Sequence, residues 1–333
     1  MGPKANPKLK VVAAPSTELQ ELADDWFADS RARGLSRRSL DMAQAVLMNK
    51  TNGLLPWAAA RGVTTAQELD QGLLDRLSAY LIDEHLTPQG KPLSRESVRT
   101  YMRTVRSFVK WAQKRGRLGA KLATPMPRAT KRVLDVLSVE EMRDIEDACA
   151  TERDKLIVHL LARYGLRLGE LLGLREEAIK KERNGRGNET YLLIHGKGSR
   201  EREVPVTGGV AERLLRFARR PTAERSTGYI FTTARKRDGH YKPLPQRAVQ
   251  QMIKYAAAEA GIKNPERVHP HLFRHSYATN ALKKGINIKA IQENLGHADL
   301  SMLTNVYSHL TPSDRYQSML DLIRRDEEDE RHR

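Results

Sequence analysis

The segment SRESVRTYMRTVRSFVKWAQKR, residues Ser94–Arg115, predicts one long amphipathic helix. Its apolar side chains recur at helical spacing and form one stripe: Val98, Tyr101, Met102, Val105, Phe108, Val109 and Ala112. Cations three or four residues apart lie along a different face: Arg95, Arg99, Arg103, Arg106, Lys110 and Lys114. A rise of about 1.5 Å per residue gives a helix roughly 30 Å long. The segment therefore packs on one side and presents positive charge on another.

Two interpretations of the positive face remain open. A solvated surface is the simpler one, because exposed helix faces are commonly charged. Residues 91–132, however, contain thirteen Lys or Arg and a single acid, Glu96. Like charges at helical spacing destabilise a free helix by a few tenths of a kcal/mol per pair. We therefore expect this face, with all six cations named above, to bind a phosphate backbone.

Length and charge indicate a two-domain, strongly basic protein. The 333 residues exceed one ordinary core, and 58 Lys and Arg against 41 acidic residues give a formal charge of +17. Hydrophobic residues at 39% exclude a disordered chain. The positive excess attracts polyanions, so it argues against an acidic or neutral metabolic enzyme. Nucleic acid is the favoured partner, ahead of an anionic membrane surface.

The cysteine content and the N-terminus suggest a compartment. The single cysteine, Cys149, excludes an intrachain disulfide and a thiolate metal cluster. No apolar run reaches about 18 residues, and no hydrophobic segment follows the basic Met1–Lys10. A cytoplasmic location without a membrane partner is expected.

The pattern of elements predicts a mainly α fold of two domains. Helical periodicity covers Glu18–Arg33, Ser36–Lys50 and Thr65–Leu86 before the long helix. A proline-containing basic stretch follows, and the Ser138–Glu141 capping box then opens the second domain. In that domain, Tyr191–His195 and Arg202–Val206 form a predicted hairpin within an otherwise helical sequence. The expected division is a basic disordered tail (1–16), a helical bundle that would bind DNA (17–119), a linker (120–136) and a mostly helical second domain with a small antiparallel sheet (137–333).

Four short motifs in the second domain carry chemistry-bearing side chains. GLRLGEL (165–171) places Arg167 and Glu170 three residues apart, a spacing that an intrahelical ion pair would also explain. Lys197 lies between two glycines at the hairpin tip, where an exposed lysine is common. HPHLFRH (269–275) places His271, Arg274 and His275 on one helix face. LGH (295–297) precedes Tyr307 by ten residues, and such a tyrosine often serves only for packing.

A zinc site is the rival interpretation of the histidine motif. The segment lacks cysteine ligands and the glutamate of an H-E-x-x-H helix, and an arginine among the ligands would oppose a divalent cation. No metal site is therefore predicted.

Taken together and in this order, the motifs resemble the catalytic set of the tyrosine recombinase, or phage integrase, family of site-specific DNA recombinases. The resemblance spans roughly Leu137–Leu310, and the N-terminal helices are similar to the family's core-binding domain. It assigns catalytic roles to Arg167, Lys197, His271, Arg274, His297 and Tyr307, with Glu170 in support. It implies a covalent 3′-phosphotyrosine intermediate without metal, ATP or another cofactor. It also implies a prokaryotic or phage-encoded, often mobile-element, enzyme that acts as a homotetramer on two DNA sites with inverted half-sites, with docking through a helix at 312–325.

The residue types suit phosphodiester transfer. Two arginines supply permanently charged, planar groups that grip non-bridging phosphate oxygens as negative charge builds. A free phenol has a pKa near about 10, so Tyr307 needs nearby cations and a proton acceptor, for which His271 is the candidate. Lys197 is the candidate general acid at the departing 5′-oxygen, His297 a further hydrogen-bond donor, and Glu170 an orienting group.

Two other functions fit the same residues. A type IB-like topoisomerase shares the chemistry but acts as a monomer, and a catalytically silent sequence-specific DNA-binding protein keeps the fold alone.

Overall fold

The computed structural model describes residues 17–119, 121–128, 135–184, 187–196, 201–218, 228–233 and 241–296. The predicted tail (1–16) lies outside these ranges, as do residues 120 and 129–134 of the predicted linker. The chain separates into two compact units, Met1–Val133 and Leu134–Arg333.

All helices and strands assigned in the described part of the first unit are α-helices. Its helices are α1 (Glu18–Ala32), α2 (Arg37–Met48), α3 (Leu54–Ala59), α4 (Gln71–Asp83) and α5 (Arg95–Lys114). The helices that the periodicity predicts are confirmed, although α4 begins later than expected. Asp70 explains that start, because its carboxylate accepts a hydrogen bond from the Leu73 amide at 2.6 Å and caps the helix. The short α3 was not predicted.

Helix α5 forms the centre of the first unit. All seven residues of its predicted apolar stripe are buried, and α1, α2 and α4 pack around it. Phe108 meets Trp26 edge to face with ring centroids 6.2 Å apart. The hydroxyl of the buried Tyr101 donates to the Val46 carbonyl at 2.7 Å and also contacts the Asn52 carbonyl. Burial raises the pKa of Tyr101, so this hydroxyl stays protonated and donates.

The second unit carries the sheet and the remaining helices. The helices are α6 (Val139–Asp147), α7 (Glu152–Tyr164), α8 (Leu168–Leu172), α9 (Gly208–Ala218), α10 (Gln246–Glu259), α11 (Pro270–Lys283) and α12 (Ile288–Leu295). The predicted capping box at the start of α6 is confirmed. The Glu141 amide donates to Ser138 Oγ at 3.0 Å, and the Ser138 amide donates to Glu141 Oε2 at 2.8 Å.

The sheet of the second unit is antiparallel, in the order β1 (Ile179–Asn184), β2 (Gly187–His195) and β3 (Glu201–Pro205). Its β2–β3 pair is the predicted hairpin, in register from Tyr191 opposite Pro205 to His195 opposite Glu201. Strand β1 was not predicted, because its sequence IKKERN lacks the alternation of apolar and polar residues that marks a half-buried strand.

The fold class is confirmed: a mainly α protein with a small antiparallel sheet in the second unit. None of the helices within the described ranges is long and apolar enough to cross a membrane.

Helices α7, α11 and α12 meet at Gly165. This glycine ends α7 with φ +62°, in the left-handed region. A Cβ atom built on it would lie 2.6 Å from Tyr277 Cδ1 on α11 and 2.8 Å from Leu295 Cδ2 on α12. Gly165 therefore permits both the turn out of α7 and the close approach of two other helices.

We predict that Gly165→Ala destabilises the protein more than Gly261→Ala does. Gly261 follows α10 with φ +71°, but a Cβ there meets nothing within 4 Å. Gly261→Ala should therefore cost only the backbone strain, about 1–2 kcal/mol. Gly165→Ala should add overpacking of about 1–3 kcal/mol. Chemical denaturation of both variants measures the difference, and equal losses would contradict the packing role.

Candidate active site

Arg274 is a buried cation held at the ends of two helices. It lies one turn into α11, whose start is set by His269, because the His269 Nδ1 atom accepts from the Leu272 amide at 3.1 Å. Arg274 is only 2% exposed to solvent. Its guanidinium donates to the carbonyl oxygens of Gly165, after α7, and Leu295, the last residue of α12. Terminal carbonyls lack helical partners and carry partial negative charge, so they stabilise a buried cation.

Arg167 and Glu170 form the ion pair that their spacing predicts. Arg167 Nη1 lies 2.7 Å from Glu170 Oε1, and the Arg167 amide donates to Glu170 Oε2 at 3.0 Å. The second contact caps the first turn of α8, so the pair fixes both the side chain of Arg167 and the start of the helix.

Arg202 adds a second cation to Glu170. Its Nη1 and Nη2 atoms donate to Glu170 Oε1 and Oε2 at 2.9 and 2.7 Å, and its Nε atom donates to the Asn294 carbonyl at 2.8 Å. Arg202 lies 32 residues from Glu170 along the chain, so the sequence offered no local signal for this contact. The simple intrahelical pair is thus part of a three-residue network.

The two arginines keep Glu170 ionised. Burial of this side chain, which is 6% exposed, would raise its pKa. The hydrogen bonds and charge of Arg202, together with the hydrogen bonds of Arg167, outweigh burial and lower the pKa of Glu170 below its ordinary value. Glu170 is therefore a fixed anion that aligns two guanidinium groups.

The three arginines converge on residues 294–296. Leu295 accepts from Arg274, and Asn294 accepts from Arg202. A Cβ built on Gly296 would lie 3.6 Å from Arg167 Nη1 and 3.5 Å from Arg202 Nη1. Arg167 and Arg274, which the sequence places 107 positions apart, are therefore held at the same short segment. The next residue along the chain is His297.

Asn294 secures that segment. Its Nδ2 atom donates to the Tyr164 carbonyl at 3.1 Å and to the Tyr277 hydroxyl at 2.9 Å. Burial raises the pKa of Tyr277, so its hydroxyl stays neutral. Neither Asn294 nor Tyr277 was singled out in the sequence, because isolated Asn and Tyr residues on helices carry no distinctive pattern.

The remaining predicted site residues fall into two groups. His271 is exposed in the first turn of α11, on the same helix as Arg274, and its ring centroid lies 6.5 Å from that of His269. Partial burial lowers the pKa of His269, and the neighbouring His271 and Lys254 contribute in the same direction. Lys197, His297 and Tyr307 lie outside the described residues, as does the predicted 312–325 helix.

No metal-ligand cluster occurs in the part of the chain that the structure describes. In those residues, His, Cys, Asp and Glu side chains do not gather in groups of three or more that could hold an ion. In the histidine motif at residues 269–275, Arg274 is buried between His271 and His275 in the sequence.

The positive face of α5 is largely exposed. Arg95, Arg103, Arg106, Lys110 and Lys114 are exposed, although Arg103 also pairs with Glu96 at 3.0 Å. Arg99 differs, because its side chain is only 21% exposed and its guanidinium donates to the Pro127 carbonyl. Arg99 thus holds the segment after α5, and five exposed cations remain on this face.

That segment is fastened to α4 and α5 by side-chain amides. Gln113 Nε2 donates to the carbonyls of Gly119 and Leu122, both at 2.9 Å. Gln71 exchanges two hydrogen bonds of 2.8 Å with the backbone of Ala123. Gly119, Leu122 and Ala123 are therefore held against the helices of the first unit.

Comparison with solved structures supports the fold. The Tn1549 transposon integrase in complex with transposon right end DNA aligns with a TM-score of 0.61 at 19% identity, over 92% of this chain and 99% of that one. The XerH site-specific recombinase bound to difH substrate aligns with a TM-score of 0.58 at 18% identity, over 93% and 91% of the two chains.

Comparison of sequences identifies the family. The model of the phage integrase family matches residues 134–314. Tyrosine recombinase XerC of Xylella fastidiosa (strain 9a5c) is 30% identical over 300 residues, which are 88% of this chain and 93% of the relative. Tyrosine recombinase XerD of Staphylococcus aureus (strain Mu50) is 32% identical over 253 residues, 72% and 81% of the two chains. The chain therefore belongs to the phage integrase family, the tyrosine-type site-specific DNA recombinases.

Proposed function

We propose that this recombinase cuts and rejoins DNA through a covalent 3′-phosphotyrosine intermediate at Tyr307. One observation carries the proposal: Arg274 donates to the Leu295 carbonyl, and Arg167 Nη1 lies beside Gly296, 3.6 Å from a Cβ atom built there, directly before His297. Two permanently charged donors beside that segment form a suitable binding place for the scissile phosphate. In this proposal Tyr307, ten residues after His297 in the sequence, supplies the nucleophile that attacks the phosphate.

In the proposed reaction the Tyr307 oxygen attacks the phosphorus, and the bond from phosphorus to the 5′-oxygen breaks. His271, exposed near Arg274, accepts the phenolic proton, and Lys197 donates a proton to the departing 5′-oxygen. Arg167, Arg274 and His297 bind the non-bridging oxygens. One phosphoester bond replaces another, so the bond energy is retained and ATP is not needed. The reverse attack by a 5′-hydroxyl on the phosphotyrosine then rejoins a strand. These residues require no metal ion or other cofactor.

The two units have separate roles in this proposal. Residues 17–119 form the core-binding domain, 120–136 the linker and 137–333 the catalytic domain, all bound to double-stranded DNA with inverted half-sites. The five exposed cations of α5 contact phosphates, whereas Arg99 acts through Pro127. The similar Tn1549 integrase was solved in complex with transposon right end DNA and XerH with difH substrate, which supports this assignment. An enzyme of this kind acts on the nucleoid in the cytoplasm.

The working assembly is proposed to be a homotetramer on two DNA sites. Residues 312–325 have an apolar helical stripe, Tyr316, Met319, Leu320 and Ile323, suited to docking on a neighbouring protomer.

We predict that Tyr307→Phe abolishes covalent DNA attachment while DNA binding is retained. A nicked suicide substrate traps the wild-type covalent complex, because the leaving strand diffuses away. The Phe variant lacks the attacking oxygen, so no complex should form. Tyr255→Phe, a change on the exposed face of α10, should trap complex like the wild type. Covalent complex formed by Tyr307→Phe would show that another residue is the nucleophile.

We predict that Arg106→Gln and Lys110→Gln each weaken DNA binding and reduce its salt dependence. The slope of log K against log salt is negative, and each lost phosphate contact should reduce its magnitude by about 0.9. Arg33→Gln is the matched control, because Arg33 already pairs with Asp29 at 2.7 Å on α1. Mobility shifts over a range of salt concentrations give the slopes. Unchanged slopes for both α5 variants would place the DNA elsewhere.

We predict that deleting the residues after Pro312 prevents assembly on paired DNA sites. Binding of one protomer to a single half-site should persist, because the core-binding and catalytic residues remain. Sedimentation of the complexes formed on two-site DNA distinguishes the species. A truncated protein that still forms the tetramer would exclude docking through 312–325.

A further inference from the structure

Arg202 occupies a core-facing position that the hairpin alone does not explain. Along β3, Glu201, Glu203 and Pro205 are exposed, whereas Arg202 and Val204 alternate onto the other face. Their cross-strand neighbours on β2, Ile194 and Leu192, are both buried. An apolar residue is the usual occupant of such a position, so a guanidinium there must have partners.

The partners of Arg202 use every nitrogen of its guanidinium. Nη1 and Nη2 bind the two oxygens of Glu170, and Nε binds the Asn294 carbonyl. The Arg202 and Glu170 side chains are 12% and 6% exposed. A planar fork can make these three contacts together, whereas the point charge of a lysine cannot. The arrangement therefore depends on geometry as well as on charge.

The groups joined by Arg202 belong to three separate parts of the site. Glu170 on α8 aligns Arg167, which precedes that helix. Asn294 lies in the last turn of α12, immediately before Leu295 and Gly296, and β3 follows the segment that contains Lys197 in the sequence. The strands close with His195 opposite Glu201, whose side chains lie 3.0 Å apart, one residue from Arg202. Arg202 thus stands where α8, α12 and the hairpin meet.

We propose that Arg202 is a positioning residue of the recombination reaction. It fixes Arg167, the segment leading to His297 and the base of the Lys197 hairpin relative to one another by joining Glu170 to the Asn294 carbonyl. The inference rests on the proposed function, since it assumes that Arg167, His297 and Lys197 act on one phosphate. Arg202 does not itself touch DNA in this role.

The test compares Arg202→Lys with Arg213→Lys. Arg213 also pairs with a glutamate of the second unit, Glu152, at 3.0 Å, but it lies on α9 among residues without a proposed role. The readouts are DNA affinity, melting temperature and the single-turnover rate of covalent attachment at saturating DNA. Arg202→Lys should slow attachment by about 10- to 100-fold, because small misplacements of reacting groups have effects of this order. Affinity should stay within about twofold of the wild type, and Arg213→Lys should leave all three readouts unchanged.

A second comparison separates positioning from general stability. Glu170→Gln, Arg202→Gln and the double variant form a cycle. If Arg202 acts through Glu170, the fold-losses of attachment rate in the two single variants do not multiply in the double variant.

Three results would overturn the inference: wild-type attachment by Arg202→Lys, multiplying losses in the cycle, or attachment rates that only follow melting temperature. Failure of the proposed function looks different. In that case the wild-type protein itself forms no covalent complex, or the complex persists in Tyr307→Phe.

Discussion

The site is organised by the burial of Arg274. Its guanidinium keeps its charge at any pH that the protein survives, so its folded position must supply acceptors. The structure supplies the carbonyls of Gly165 and Leu295, at the ends of α7 and α12. Those two helix ends are thereby fixed to α11. Their close approach in turn requires a glycine at 165, because Tyr277 and Leu295 fill the space of a Cβ atom. At this point of the fold, the close packing of the helices and the burial of the Arg274 charge therefore depend on each other.

Glu170 positions the other two arginines near residues 294–296. A single buried carboxylate aligns Arg167 from its own helix and Arg202 from β3. Removing either cation would leave the carboxylate less compensated, and a buried charge without its partner costs about 3–5 kcal/mol. Arg167, Arg202 and Glu170 therefore depend on one another for their positions. Such preorganisation matters for phosphoryl transfer, which relies on positioning and electrostatic stabilisation.

Local patterns in the sequence predicted much of this structure. The apolar stripe of α5, the Ser138–Glu141 capping box and the β2–β3 hairpin are short-range features, and each was found as expected. Strand β1 and helix α3 were missed because their sequences lack a clear period. The Arg167–Glu170 spacing gave the pair but not its third member.

The contacts that sequence reasoning missed are long-range. Arg202 meets Asn294 across 92 residues, and Arg274 meets Gly165 across 109. The order of the motifs pointed to a common site, but only the folded chain shows that helix-end carbonyls and Glu170 hold the arginines there. Arg99 illustrates the converse, since its place in a regular cationic stripe gave no sign that it binds the Pro127 carbonyl.

The two ways of holding arginine have different electrostatic consequences. Carbonyl oxygens fix the guanidinium of Arg274 without cancelling its charge, whereas Glu170 cancels one of the two charges that it aligns. Three guanidinium groups and one carboxylate thus leave a formal excess of two positive charges around residues 294–296. In the proposed reaction, a phosphodiester brings one negative charge and attack by the Tyr307 oxygen as a phenolate brings a second. The fixed positive charge therefore favours the negative charge that builds on the phosphate oxygens during attack, which is the condition for accelerating the chemical step.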